Sequence, residues 1–127
     1  MRPLHSKVLA LASLVLAIAV MLGAFGAHGL EGKLSLKQMS TFNTGITYHF
    51  YHGFALFLLG IILKILPELK LKSVILCFCL GILFFSGNCY IYAITGIKTF
   101  ALIIPIGGIL FIKGWLTLAY IFFKESK

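Results

Sequence analysis

The sequence predicts an all-α integral membrane protein, an antiparallel bundle of four transmembrane helices that forms one domain over residues 1–127. Of its residues, 61% are hydrophobic and only 11% are charged, and the mean hydropathy of +1.07 is far above that of soluble domains. Apolar runs at about 8–27, 46–66, 73–94 and 100–123 each reach the roughly 20 residues that a helix needs to cross a bilayer. None of the runs contains Asp, Glu or Arg.

The first run has a second interpretation. Arg2 and Lys7 precede its apolar core and small residues follow at 23–27, a pattern that resembles a signal peptide. Because three more spans follow, we favour a retained first helix. The loop after it contains Ser35 and Gln38 at capping-box spacing, with Leu36, Met39 and Phe42 following at near-helical spacing. This pattern leaves open a short interfacial helix or a solvated loop before the second span.

The remaining junctions carry ordinary helix-ending residues. Pro67 ends the second helix, and a tight turn at Thr95 and Gly96 joins the third helix to the fourth. Seven basic residues lie on one side of the membrane: Arg2, Lys7, Lys64, Lys70, Lys72, Lys124 and Lys127. Three lie on the other: Lys33, Lys37 and Lys98. The positive-inside rule then predicts that both termini are cytoplasmic.

The charge pattern argues against a nucleic-acid partner. The net charge is +8, but the basic residues are scattered between apolar runs instead of forming a patch. Such scattered charges suit contact with the lipid bilayer. The three cysteines, Cys77, Cys79 and Cys89, share one apolar run and are expected to be buried thiols. No cofactor is expected.

Small residues at helical spacing predict how the spans pack, because membrane helices associate where backbones can approach closely. Such stripes are Ala19, Gly23 and Ala27 in the first span, Gly45, Gly53 and Gly60 in the second, Cys77 and Gly81 in the third, and Gly107 and Gly114 in the fourth.

Polar side chains fall on the same helix faces and at similar depth. The expected members of this polar layer near the outer membrane face are His28, Tyr48, His49, His52, Ser86 and Asn88. Intramembrane polar residues suggest a functional site, yet neutral ones also hydrogen-bond between helices and fix their packing. We favour the packing role, and binding of a ligand, ion or proton is the alternative.

Two narrower hypotheses concern single residues. His28, His49, His52 and Cys89 are ligand types that suit zinc or copper, but they form no metal motif and have no carboxylate nearby, so no metal site is predicted. Lys113 falls near the middle of the fourth span without an acid to pair with. Snorkelling is its favoured explanation, and the alternatives are bonds to backbone carbonyls, a neutral amine, or a lipid or protein partner. A helix that begins at Pro105 would bring Lys113 nearer the polar layer.

Five short motifs, in the same order and at similar spacing, resemble one known family. They are Gly-Ala-Phe-Gly-Ala-His at 23–28, Tyr48 with His52, Phe-Ser-Gly at 85–87 with Tyr90, Pro105 with Gly107 and Gly108, and Gly114-Trp115. The family is the YgdD/YwdK family of small four-span bacterial membrane proteins, also called the domain of unknown function 423 family. The resemblance implies a multi-pass protein of the bacterial inner (plasma) membrane without an established activity.

The resemblance also extends the set of candidate residues. It adds Tyr90 to the polar layer and Trp115 as an interface anchor. The expected helix-packing residues are Gly23, Gly26, Gly53, Gly81, Gly87, Pro105, Gly107, Gly108 and Gly114. Asn88, Ile104 and Lys113 depart from the family, in which a small residue, a threonine and an apolar residue are usual at these places.

The sequence does not predict an enzyme. It has no nucleophile motif, no H-E-x-x-H, no phosphate-binding glycine loop and no carboxylate pair near the spans. The expected function is therefore that of a non-enzymatic envelope accessory or interaction protein. Its partner would be a second copy or another membrane protein, and small-molecule, ion or metal binding or transport through the polar layer is the alternative.

Overall fold

The computed structural model describes residues 1–125 and has four helices in that range. We label them α1 (Leu4–Gly29), α2 (Leu36–Ile65), α3 (Lys72–Thr95) and α4 (Lys98–Glu125). Each is long and apolar enough to cross a membrane, and the described residues contain no strand. The predicted four-helix membrane fold is confirmed. Lys127, which was counted for the orientation, lies outside the described residues.

The largest difference from the prediction is the start of α2, which begins ten residues before the expected position 46. Ser35 accepts a hydrogen bond from the backbone N–H of Gln38, and the Gln38 side chain accepts one from the backbone N–H of Ser35. This capping box starts one continuous helix of 30 residues, about 45 Å long. The capping box and a helix that leads into the second span are confirmed, although this helix is continuous with the span instead of being a short interfacial one. The alternative of a solvated loop is wrong.

The helix ends follow the predicted local signals more closely. The second helix ends at Ile65, just before Pro67. Gly96 adopts a φ of 69° and donates its N–H to the carbonyl of Tyr92, 2.7 Å away, which closes α3. Pro105, in contrast, lies inside α4. The alternative that α4 begins at Pro105 is therefore wrong, since the helix has already run from Lys98.

The regular winding of α3 is interrupted by a π-turn at Ile82–Ser86, which the sequence did not predict. The N–H of Gly87 bonds to the carbonyl of Ile82, five residues earlier. A turn of this kind holds one residue more than an α-helical turn and is common at functional or tightly packed positions.

Each helix packs its backbone against the next one in chain order, α1 on α2, α2 on α3 and α3 on α4. The buried small residues of α1 are Ala12, Ala19 and Gly26, seven residues apart. Such spacing keeps one stripe facing a nearly antiparallel neighbour. Ala27 is exposed, so its predicted place on the contact stripe is wrong by one residue.

The core divides into two apolar parts. The larger part lies toward the chain termini and the α2–α3 loop, and includes Val8, Leu56, Leu59, Leu63, Leu71, Val74 and Phe78. A smaller cluster of Leu30, Phe42 and Ala93 lies near the opposite loops. The buried polar side chains His49, His52, Ser86 and Asn88 come from α2 and α3.

Candidate functional site

His52 hydrogen-bonds to α4 across the bundle. Its Nδ1 lies 2.8 Å from the carbonyl oxygen of Tyr48, and a carbonyl only accepts, so Nδ1 carries the proton. Its Nε2 is then free to accept the indole N–H of Trp115, 3.0 Å away. Both ring nitrogens are therefore used, and this pattern requires a neutral imidazole.

Aromatic rings enclose the same imidazole. The ring of Phe111 stacks on His52 with centroids 3.5 Å apart and planes within 8°. Phe78 approaches edge-on at 5.3 Å, and it also packs against Trp115 at 4.9 Å. Only 4% of His52 is exposed. These aromatic contacts fill the space around the imidazole and hold it in place.

His49 connects α2 to α3. Its Nδ1 lies 2.8 Å from the hydroxyl of Tyr90 in α3, within hydrogen-bonding distance. The two rings also pack together, with centroids 6.0 Å apart.

Ser86 provides the second direct link between α2 and α3. This fully buried side chain donates from Oγ to the carbonyl oxygen of Gly45, 2.7 Å away. Gly45 permits the approach, because a Cβ at that position would lie 2.7 Å from Cβ of Cys89. Asn88 instead donates to the carbonyl of Phe84 in its own helix, 2.7 Å away.

The π-turn brings α3 against α4. A Cβ at Gly107 would collide with the backbone nitrogen of Phe85, which lies within the turn. One residue later, a Cβ at Gly108 would lie 3.8 Å from the Phe85 ring, an ordinary contact. Only one of these two adjacent glycines is therefore required by the α3–α4 contact.

The other predicted packing glycines divide in the same way. Gly26 meets Phe42, Gly53 meets Leu16, Gly81 meets Phe111 and Gly114 meets Phe78, all too closely to admit a Cβ without movement. Gly23 and Gly87 have room for a Cβ, with nearest atoms at 3.9 and 4.0 Å. Pro105 is exposed within α4.

Two predicted members of the polar layer lie apart from the hydrogen-bonded groups. His28 is exposed near the end of α1 and contacts none of the other layer residues through a hydrogen bond in the described chain. Tyr48 is 39% exposed and contributes its carbonyl, together with a ring 4.7 Å from that of Phe85. The layer therefore consists of the buried side chains of His49, His52, Ser86 and Asn88, together with the half-buried Tyr90.

The hypothetical metal ligands do not converge. Within residues 1–125, no group of three His, Cys, Asp or Glu side chains is placed to hold a metal ion. Both ring nitrogens of His52 and Nδ1 of His49 are within hydrogen-bonding distance of partners in the same chain, and Cys89 is buried against α2.

The family model described as "Protein of unknown function (DUF423)" matches residues 22–108, which include every residue of the polar layer and the π-turn. This chain belongs to the DUF423 family. The resemblance inferred from the five motifs is thereby confirmed.

Several DUF423 relatives are named UPF0382 membrane proteins. One from Staphylococcus haemolyticus is 45% identical over 90% of this chain and 93% of its own length. YwdK from Bacillus subtilis is 42% identical over 78% and 81%, and one from Haemophilus influenzae is 38% identical over 97% and 98%. No solved structure matches the chain. The protein is thus a multi-pass bacterial membrane protein of a family without an assigned activity.

Trp115 has a role in this DUF423 chain that the sequence did not predict. It lies ten residues before the end of α4 at Glu125 and donates to His52, whereas an interface anchor would lie near the end of the helix. Phe111 lies one turn earlier on the same flank of α4. The i, i+4 spacing of these two aromatic residues indicates that they share a helix face, but it does not identify His52 in α2 as their partner.

Lys113 points away from the polar layer. Its side chain is exposed on α4, on a different face from the buried Gly107, Phe111 and Gly114. Within the described residues its side chain has no hydrogen bond or ion pair, and only its carbonyl is used, by Thr117. It therefore takes no part in the hydrogen-bonded site.

Proposed function

We propose that this protein is a non-enzymatic accessory or interaction protein of the bacterial envelope, in which the polar layer holds four helices in one arrangement. One observation carries the proposal: within residues 1–125, every buried side-chain nitrogen and oxygen already has a hydrogen-bond partner. The named partners belong to the same chain. Groups with satisfied hydrogen bonds contribute to helix packing without any ligand.

The chemistry of the layer supports the same proposal. General acid–base catalysis needs a titratable group within reach of a substrate, but His52 is enclosed by aromatic rings and both its nitrogens are bonded. Ser86 is fully buried and donates to a backbone carbonyl. The outward faces of the helices are then the surfaces open to a partner within the membrane. α1 and α4 bury only 17% of their most apolar segments, so they offer the largest areas to a second copy or another membrane protein.

Alanine substitutions test the role of the layer. We expect His52→Ala and Ser86→Ala to lower the unfolding temperature in detergent and the abundance in membranes, because each removes a buried side chain that hydrogen-bonds to another helix. Tyr51→Ala is the matched control, since Tyr51 neighbours His52 in the sequence but is 61% exposed. Thermal unfolding and quantitative immunoblotting of membranes measure the effects.

The alternative, binding or transport through the layer, predicts a different result. It would be supported, and our proposal contradicted, by a small molecule or metal that native mass spectrometry finds on the wild-type protein but not on a His52→Ala variant of normal stability. The interaction role itself is tested by in-cell crosslinking from α1 and α4, with each captured membrane protein confirmed by reciprocal purification.

A further inference from the structure

A cleft lies at the end of the bundle that carries the amino terminus. It has a volume of about 590 Å³, and it is bounded by the start of α1, the end of α2 and the loop that leads into α3. Ligand pockets in proteins commonly measure roughly 300–1,000 Å³. The cleft is therefore large enough for a small polar group with part of an attached chain.

The walls of the cleft combine two kinds of side chain. Leu4, Leu63 and Leu69 provide an apolar lining. His5, Lys70 and Lys72 provide basic groups, and both lysines are exposed. The combination suits a molecule with an anionic head and an apolar tail.

One carboxylate, that of Glu68, also lines the cleft. No ion pair joins it to Lys70 or Lys72 in the described part of the chain, so the ammonium groups of both lysines remain available. Arg2, Lys7 and Lys64 belong to the same end of the bundle and add to its positive potential. An anion entering the cleft therefore meets a net attraction.

The depth of the cleft indicates where its ligand would come from. The apolar part of α2 ends at Ile65 and α3 begins at Lys72, so the intervening loop lies at the level where a bilayer changes from acyl chains to head groups. Phospholipid phosphates occupy this level. Basic pockets between transmembrane helices at this depth bind anionic lipid head groups.

We propose that this cleft binds the phosphate head group of an anionic phospholipid, with Lys70 and Lys72 at the phosphate and an acyl chain against Leu4 and Leu63. The site is separate from the polar layer and does not depend on the proposed function. Free inorganic phosphate has the same anionic chemistry but no acyl chain, and the experiment distinguishes the two sources.

The test uses the full-length protein, purified in an uncharged detergent and depleted of lipid. Phosphatidylglycerol, phosphatidylcholine with the same acyl chains, and inorganic phosphate are titrated separately. Binding is followed by native mass spectrometry and by the rise in unfolding temperature that a ligand of the folded state produces. The variant is K70Q/K72Q, and its control is K33Q/K37Q, which removes two exposed lysines from the opposite end.

We expect phosphatidylglycerol to bind the wild type and K33Q/K37Q equally, and K70Q/K72Q about tenfold or more weakly, because each lysine near a head group contributes to attraction. Three results would overturn the proposal. They are an equal loss in both double variants, equal binding of phosphatidylcholine, and stabilisation by inorganic phosphate as strong as that by the lipid.

If K70Q/K72Q folds poorly, a single substitution that removes a negative charge from the cleft still tests the proposal. Glu68→Gln removes the one carboxylate of the cleft, so it should strengthen phosphatidylglycerol binding while leaving the unfolding temperature without lipid unchanged. Weaker or unchanged binding by this variant would contradict a phosphate placed between these side chains.

Discussion

Gly107 and Gly108 are adjacent in the sequence, but they differ strongly in how closely α3 approaches them. Both belong to the Pro105 motif and both were expected to pack between helices. Only Gly107 faces the backbone of Phe85, whereas Gly108 has its nearest non-local atoms at 3.8 Å. The sequence could not separate them, because the difference depends on the rotation of α4 and on the π-turn in the partner helix.

These glycines give a matched prediction. Gly107→Ala should lower the free energy of unfolding by about 1–3 kcal/mol, because its Cβ forces α3 and α4 apart. Gly108→Ala should change it little, since the space already exists and alanine favours the helix. Equilibrium unfolding in mixed detergent measures both variants. Equal destabilisation of the two would show that backbone flexibility, and not the close contact at Gly107, explains the motif.

For the polar residues, helical spacing predicted which side chains are buried, but it did not predict which groups they hydrogen-bond to. His49, His52, Ser86 and Asn88 were expected to face inward, and all four are buried. The carbonyl of Gly45 and the indole of Trp115 were not identified as their partners. A backbone partner cannot be read from the periodicity of side chains. Trp115 is 46% exposed, and the backbones of α2 and α4 do not pack closely, so its spacing gave no sign of a partner in α2.

At the scale of the element, the π-turn of α3 is the main departure from ideal helix geometry. It includes Phe85, which packs on Gly107, and Ser86, which bonds to Gly45. The wide turn absorbs one extra residue, so the flanking halves of α3 keep the phase in which Gly81 faces Phe111 of α4 and Cys89 faces Gly45 of α2. In a regular α-helix of the same sequence, one of these two contacts would be rotated away by about 100°.

Single-residue deletions test this interpretation. Deleting Leu83 removes the extra residue of the π-turn and leaves the flanking segments in register, whereas deleting Leu76 from the regular part of α3 rotates one flank by about 100°. Both leucines are exposed, at 63% and 58%. We therefore expect the Leu83 deletion to retain more folded protein in membranes. A greater loss with the Leu83 deletion would mean that the turn itself is indispensable.

At the scale of the whole molecule, the helices contact one another in chain order and α1 and α4 are the least buried. The small residues of α1 face α2, and those of α4 face α3. In the described part of the chain, α1 and α4 therefore do not pack against each other. Short connections between antiparallel neighbours account for this order. The side chains of His52, Phe111 and Trp115 then connect α2 to α4 across the intervening groove.

The orientation of the bundle in the membrane remains a prediction from lysine counting. If both termini are cytoplasmic, a green fluorescent protein fused to either end should fluoresce, and alkaline phosphatase inserted beside Lys33 should be active. The reverse pattern would place the basic end outside. That result would also move the proposed phospholipid cleft to the outer leaflet without changing its chemistry.

The sequence by itself determined the four spans, their approximate limits, the family and the inward direction of most polar residues. These properties follow from hydropathy and helical period, which depend on each residue and its near neighbours along the chain. The tertiary structure alone decided which glycines touch a backbone, that Trp115 bonds to His52, that α3 contains a π-turn and that His28 lies apart. Those features depend on how far each helix is rotated and shifted against the next. Many weak contacts between residues distant in sequence set that relation together, so no local pattern encodes it.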